Sequence, residues 1–147
     1  MHVISLNIRG FGGLAKQKTL RSLFRSLKPD MILVQETLCS TYPALWAFSK
    51  LMPGWEFCAI NAPGLSRGLL TGWNPLSMRC KAFVTVAGIL VHARFRDSSS
   101  TLSILNYYGP YRNREPFWEK VIEGGLLLLP NLVLAGDLNF TTDAVEI

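Results

Sequence analysis

Five polar residues that could handle a phosphate group stand at the ends of apolar stretches in this sequence: Asn7, Glu36, Tyr108, Asp137 and Asn139. Carboxylates held a few ångströms apart repel each other, and a divalent cation removes that cost. Oxygen ligands from Glu and Asp suit Mg²⁺ or Mn²⁺. An Asn amide holds a phosphate or orients a nucleophile without adding charge, and a Tyr hydroxyl donates to a phosphoryl oxygen. Together these side chains favour metal-assisted phosphodiester cleavage.

The stretch from Leu132 to Phe140 organises this set. Its four leading apolar residues predict a strand buried on both faces, and Gly136 lets the backbone turn at the strand end. In an extended chain the side chains of Asp137 and Asn139, two residues apart, point the same way. Taken alone, the stretch leaves open an Asp-x-Asn turn that merely caps a strand.

The N-terminal part predicts a strand, a helix and a second strand. The first strand ends at Asn7, residues 15–27 have helical periodicity, and residues 31–35 form a buried strand that Glu36 follows. Such a βαβ unit makes its two strands parallel, so Asn7 and Glu36 lie at the same edge of the sheet. The basic residues of the helix indicate a solvated face: Lys16, Lys18, Arg21 and Arg25.

The middle of the chain changes from helical to alternating periodicity. After a helix at residues 42–52, strands are predicted in one antiparallel meander at 56–60, 69–73, 80–84, 89–95 and 102–108. A hairpin turn at 97–100 and an aromatic turn at 106–111 follow from their Asp, Ser, Gly and Pro residues. Pro116 then opens a helix that closes near Pro130.

Composition indicates one folded domain spanning residues 1–147. The chain is 49% hydrophobic and 17% charged, and its net charge of +5 favours a polyanionic partner. Three widely spaced cysteines without a CxxC pair indicate neither a disulfide framework nor a zinc site. No signal peptide or apolar run of spanning length is read, so we expect an intracellular protein of the nucleus or cytoplasm, not secreted and with no membrane contact.

Four motifs occur in order along the chain: Leu6-Asn7-Ile8-Arg9-Gly10, Gln35-Glu36-Thr37, Asn106-Tyr107-Tyr108-Gly109-Pro110 and Gly136-Asp137-Leu138-Asn139. In this order and separation they resemble the endonuclease/exonuclease/phosphatase superfamily. Within it the chain is most similar to the apurinic-type endonuclease domains of LINE retrotransposons, including those of plants. The resemblance implies a four-layer α/β sandwich of two packed sheets, and DNA as the substrate.

The resemblance also implies a role for each residue. Glu36 is the principal metal ligand, for Mg²⁺ or Mn²⁺, and Asn7 helps hold the metal and phosphate side of the site. Tyr108 contacts the phosphate. Asp137 orients or deprotonates the attacking water, and Asn139 binds a phosphoryl oxygen. No organic cofactor is implied.

Two departures from the family pattern stand out. Tyr111 occupies a position where the family turn usually has Asn. The family continues beyond its Gly-Asp-Leu-Asn strand to a Ser-Asp-His motif, which this sequence lacks, and His2 and His92 lie in no matching motif. We therefore expect a C-terminally truncated domain with an exposed apolar face and strand edge, which favours a homodimer through the second sheet.

Three functions remain open from the sequence. One is a metal-dependent phosphodiester hydrolase acting on DNA. Another is a catalytically inactive, domesticated fragment that binds nucleic acid or a protein partner as a regulatory module. The third is a phosphatase of small phosphoesters or lipids, which gains nothing from the basic charge.

Overall fold

A computed structural model of the chain describes residues 1–61, 68–110 and 114–139. It contains two four-stranded β-sheets with helices on their outer sides. No helix in these three ranges is both long and apolar enough to cross a membrane. The elements, in chain order, are β1 (Val3–Asn7), α1 (Leu14–Leu27), β2 (Met31–Gln35), α2 (Thr41–Leu51), β3 (Glu56–Ile60), β4 (Leu69–Trp73), β5 (Met78–Val84), β6 (Gly88–Phe95), β7 (Thr101–Tyr108), α3 (Arg114–Glu123), a short 3-10 helix (Leu126–Leu128) and β8 (Leu132–Asp137).

The first sheet has the strand order β1-β2-β4-β3. β1 and β2 are parallel and joined through α1, which confirms the predicted βαβ unit. Their register pairs Asn7 with Gln35, so Asn7 and Glu36 lie at the same edge. β4 runs antiparallel to both β2 and β3.

The second sheet has the order β5-β6-β7-β8. β5, β6 and β7 form an antiparallel meander, and β8 returns parallel to β7 through α3. The prediction of one continuous five-stranded meander was therefore wrong. β3 and β4 belong to the first sheet, and the chain crosses to the second sheet between Trp73 and Met78. Local alternation of apolar and polar residues predicts where strands occur, but it does not predict to which of the two sheets a strand belongs.

Three apolar clusters give the molecule its four layers. α1 and α2 pack on the outer face of the first sheet through residues such as Phe24 and Phe48. Met31 and Leu33 meet Ile89 and Ile104 between the sheets. On the outer face of the second sheet, residues of β6 and β7 contact Val121 of α3. The predicted four-layer α/β sandwich is confirmed.

The last strand is less buried than the sequence predicted. β8 lies at the edge of the second sheet, and Val133 and Leu134 are each 42% exposed. The apolar run Leu132–Ala135 therefore does not form a strand buried on both faces, because an edge strand has a neighbour on one side only among the described elements. Gly136 lies within this strand and not beyond it.

Candidate active site

The polar ends of four strands meet where the inner faces of the two sheets reach one edge of the sandwich. In β1, β7 and β8, residues on the same strand face as Asn7, Tyr108 and Asp137 pack between the sheets: Val3, Ile104 and Ala135. The register of the second sheet pairs Tyr108 directly with Asp137. The strand periodicity that fills the core thus places these three side chains at the mouth of the intersheet layer, next to Glu36.

Asn7 joins the two carboxylates of the site. Its Nδ2 donates to Oε1 of Glu36 at 3.1 Å and to Oδ2 of Asp137 at 2.7 Å. Its Oδ1 accepts from the backbone N–H of Arg9 at 3.1 Å, which fixes the orientation of the amide. One neutral side chain therefore holds a carboxylate of the first sheet beside a carboxylate of the second.

Glu36 is held in an unusual backbone conformation. Its φ of +54° lies in the left-handed region, which costs a non-glycine residue about 1–3 kcal/mol. Such a conformation persists only where the surrounding contacts hold it in place. Its carbonyl accepts from the N–H of Gly10 at 2.6 Å, and its side chain is 8% exposed. The Tyr108 hydroxyl donates to the same Oε1 that Asn7 contacts, at 2.9 Å.

Asp137 is oriented from a second side by Asn139. The backbone N–H of Asn139 donates to Oδ1 of Asp137 at 3.0 Å, and Asn139 has a φ of +50°. The expectation of an extended chain with both side chains pointing the same way was therefore wrong, because the chain turns at this point. The Asn139 side chain instead donates through Nδ2 to the Gly109 carbonyl. Its assignment to a phosphoryl oxygen stays a prediction.

A buried polar network that the sequence analysis did not identify lies beneath the site. Gln35 Nε2 donates to Asn106 Oδ1 at 2.8 Å, and Asn106 Nδ2 donates to the Leu70 carbonyl at 3.0 Å and to Thr71 Oγ1 at 3.1 Å. Asn106 is fully buried, and it lies two residues before Tyr108 on the same face of β7. These bonds connect the two sheets directly below Glu36. The signal available in the sequence was one amide at an inward-facing position of each strand, Gln35 in β2 and Asn106 in β7.

Lys16 of α1 fixes the loop that follows Asn7. Its Nζ donates at 2.9 Å to each of the Ile8 and Gly10 carbonyls. The sequence predicted that Lys16 lies on a solvated face. In the structure its ammonium group also holds the loop after Asn7. On the same side of the site lies an open groove of about 580 Å³, whose lining includes Arg9, Lys16 and Trp46.

The two histidines of the chain lie away from the strand ends that carry Glu36 and Asp137. His92 lies on β6, where its Nδ1 is 2.9 Å from the Ser103 hydroxyl, and His2 precedes β1 at the opposite end from Asn7. Among the described residues, neither histidine forms a hydrogen bond with Asn7, Glu36 or Asp137. Tyr111 lies outside the described residues.

The side chains at the strand ends fit a hard divalent cation. Glu36 and Asp137 provide carboxylate oxygens, held beside each other by Asn7. Within the described ranges, no group of three or more His, Cys, Asp or Glu side chains is placed so that it could hold a metal ion. Mg²⁺ requires no such group, because it keeps several waters and binds through one or two carboxylates together with substrate phosphates.

Comparison with known proteins decides the family. The sequence profile of the Endonuclease/Exonuclease/phosphatase family matches residues 4–147. The chain belongs to this family. No curated protein matches it significantly by sequence.

Solved structures share the family fold at low sequence identity. The endonuclease domain of TRAS1, a telomere-specific non-LTR retrotransposon, has a TM-score of 0.70 at 17% identity, over 96% of this chain and 61% of that domain. The Xenopus laevis APE2 catalytic domain has a TM-score of 0.62 at 19% identity, over 97% and 60%. The human Nocturnin catalytic domain has a TM-score of 0.74 at 13% identity, over 99% and 66%. The chain therefore spans about two thirds or less of these relatives.

Proposed function

We propose that this domain is a divalent-metal-dependent phosphodiester hydrolase acting on DNA. The observation that carries the proposal is the contact of one amide, that of Asn7, with the carboxylates of Glu36 and Asp137 at 3.1 and 2.7 Å. Apolar residues at these strand-end positions would fill the core equally well, so packing alone does not explain the polar side chains. Two carboxylates brought together across two sheets are expensive to hold without a cation, which points to a ligand-binding role.

Each side chain has a task that its contacts support. Glu36 and Asn7 would hold Mg²⁺ or Mn²⁺, which, when bound, polarises the phosphodiester and neutralises charge on its oxygens. Tyr108 would donate its hydroxyl to a phosphoryl oxygen. Asp137, oriented by Asn7 and by the Asn139 N–H, would accept the proton of the attacking water. Asn139 would stabilise the phosphoryl oxygen.

Charge and shape around the site support a polynucleotide over a small phosphoester. The net charge is +5, and the groove beside Glu36 carries Arg9 and the half-exposed ring of Trp46. Cations attract a phosphate backbone, and an exposed aromatic ring offers a stacking surface to a base. Among the similar structures, the TRAS1 domain is named an endonuclease and the Leishmania major protein an AP endonuclease.

The test is nicking of supercoiled plasmid with Mg²⁺ and with Mn²⁺, for the wild type beside Glu36→Gln and Asp137→Asn. We expect both variants to fall by at least about 10²-fold, because each loses a group that acts directly in the reaction. Glu119→Gln on the exposed part of α3 removes the same charge away from the site and should keep full activity. Equal nicking by all four proteins would show contamination and overturn the proposal.

Metal binding is tested separately by thermal unfolding. A cation that binds only the folded protein stabilises it by about 2.7 kcal/mol at 100 times its Kd. We expect Mg²⁺ to raise the Tm of the wild type and of Glu119→Gln, and to leave that of Glu36→Gln unchanged. A shift that is the same in all three proteins would place the cation elsewhere.

The position of the histidines favours a second candidate, a nucleic-acid-binding module without hydrolysis. Neither His2 nor His92 lies beside the carboxylates, and loss of a general acid–base group costs about 10²–10⁴ in rate. A wild type that binds Mg²⁺ and DNA in the unfolding and binding assays, but does not nick plasmid, would support this second function.

A further inference from the structure

The outer face of the second sheet carries a charged and aromatic surface well away from the carboxylates. Alternation places Arg79, Lys81 and Phe83 of β5 on one face of the sheet. The register sets Arg79 opposite Arg94 and Lys81 opposite His92. We call these five residues the β5–β6 face. The site residues of β7 and β8 point to the intersheet layer, on the other side of the same sheet.

Two cations of the β5–β6 face are cross-strand partners, and one of them, Arg94, donates through Nε to the Ser98 carbonyl at 3.2 Å. Arg79 and Arg94 are directly opposite, an arrangement that is destabilising between like charges. β5, β6 and β7 contain no Asp or Glu. Arg79, Lys81 and Arg94 are all exposed, and none of them forms an ion pair with a described residue. Such a cluster suits a polyanion, which would remove the repulsion.

An aromatic pair lies between these cations. Phe83 is 37% exposed, and its ring meets that of His92 edge-on at 5.5 Å. Lys81 Nζ is 5.1 Å from the centre of the Phe83 ring. His92 is held in turn by the Ser103 hydroxyl at 2.9 Å. The ring is thus supported by neighbours on the sheet, which lowers the entropy lost when a ligand stacks on it.

We propose that the β5–β6 face binds single-stranded nucleic acid, with a base stacked on Phe83 and phosphates contacted by Arg79, Lys81 and Arg94. A sheet surface with an exposed ring can take an unpaired base on its face, whereas duplex bases are already stacked inside the helix. An acidic peptide would satisfy the cations but gain nothing from the ring. The inference is independent of the proposed hydrolysis, because none of its residues belongs to the carboxylate site.

The test is fluorescence anisotropy with a labelled oligothymidylate of twenty nucleotides, in EDTA so that no metal-dependent cleavage occurs. The triple variant Arg79→Gln, Lys81→Gln, Arg94→Gln should bind at least about tenfold more weakly. The slope of its plot of log K against log salt should be less steep by about 2, since each of the three lost phosphate contacts contributes about 0.7 on a single strand. Lys18→Gln, Arg21→Gln, Arg25→Gln on α1 is the matched control, because it removes the same charge elsewhere.

Substitutions of Phe83 test the contribution of base stacking separately from that of charge. Phe83→Leu keeps an apolar side chain on the sheet but removes the ring, and we expect about tenfold weaker binding. Phe83→Trp should bind at least as tightly as the wild type, which also shows that loss in the leucine variant is not misfolding.

Three results would overturn the proposal. One is equal weakening by the β5–β6 and α1 triple variants, which would indicate net charge alone. Another is unchanged binding by Phe83→Leu together with equal affinity for duplex DNA. The third is displacement of the oligonucleotide by polyglutamate as effectively as by unlabelled oligothymidylate, which would indicate an acidic protein partner. None of these results depends on whether the wild type nicks plasmid.

Discussion

Tyr107 and Tyr108 are consecutive residues whose side chains lie on opposite faces of β7. Tyr108 points to the intersheet layer and donates to Glu36. Tyr107 packs against Phe117 and Trp118 of α3, with ring centres 5.9 and 5.6 Å away. Its hydroxyl is buried without a hydrogen-bond partner among the described residues. Burial, and then the charge of Asp137, raises the Tyr107 pKa to about 12, although Arg114 opposes this.

Replacing Tyr107 with Phe should leave the protein as stable as the wild type, or up to about 1 kcal/mol more stable, because a buried hydroxyl without a partner is costly. The pH dependence should change as well. Since the folded pKa lies above the unfolded value, the unfolded chain ionises first, so the free energy of unfolding of the wild type falls as pH rises from about 10 towards 12, and Tyr107→Phe should lack this fall. Urea unfolding between pH 8 and 11.5 measures both effects. A variant that keeps the wild-type alkaline loss would contradict the assignment.

Replacing Tyr108 with Phe should have the opposite result. It removes a hydrogen bond to a buried carboxylate, so we expect a loss of about 1–3 kcal/mol in the free energy of unfolding at pH 7. Plasmid nicking should fall as well, whereas Tyr107→Phe should retain it. Loss of nicking in both variants to the same extent would mean that the two tyrosines act only through packing.

The junction of β7 and β8 depends on a glycine that allows close backbone approach. Gly136 has a φ of +150°, and a Cβ added there would lie 1.8 Å from the Tyr107 carbonyl oxygen. No side chain fits without separating the two strands. Because Asp137 is the next residue, the spacing of these strands sets the position of the second carboxylate.

Gly136→Ala should therefore lower the free energy of unfolding by about 3 kcal/mol or more and reduce the Mg²⁺-dependent rise in Tm, because Asp137 accepts a hydrogen bond that orients the proposed metal ligand Asn7. Gly12→Ala is the matched control, since a Cβ there meets nothing within 4 Å. Thermal unfolding with and without Mg²⁺ compares the two variants. Wild-type behaviour in Gly136→Ala would show that the strands can separate without moving Asp137.

The sequence predicted the elements better than their assembly. β3 and β4 have the bounds read from alternation, and the βαβ unit placed Asn7 beside Glu36. Three features could not be read from local patterns. The division of strands between the sheets depends on long-range pairing, and the turn at Asn139 depends on its bond to Asp137. The exposure of Val133 reflects the edge position of its strand, which an apolar run alone does not reveal.

For the molecule as a whole, we propose self-association through the outer edge of β8. Val133 and Leu134 are each 42% exposed on this strand, which has no second neighbour among the described elements. Such an edge pairs readily with another strand. Light scattering at micromolar concentration should give the mass of a dimer, and Val133→Lys should reduce it to that of a monomer.

A matched control for this prediction is Leu76→Lys. Leu76 is 82% exposed in the connection between β4 and β5, so the same added charge there should leave the dimer intact. A monodisperse wild-type monomer at micromolar concentration would contradict self-association through β8. Dissociation by both variants would indicate a general effect of charge.

The amide of Asn7 and the carboxylate that it contacts on β8 are separated by 130 residues. A ribosome adds about 5–20 residues per second, so the second carboxylate leaves the tunnel on the order of ten seconds after the first strand. By then every strand of the first sheet has emerged and can pair. A nascent chain thus carries half of its candidate site on a folded sheet, and the second carboxylate joins it only when β8 docks. The order of synthesis would therefore delay the proposed hydrolysis until both sheets have assembled.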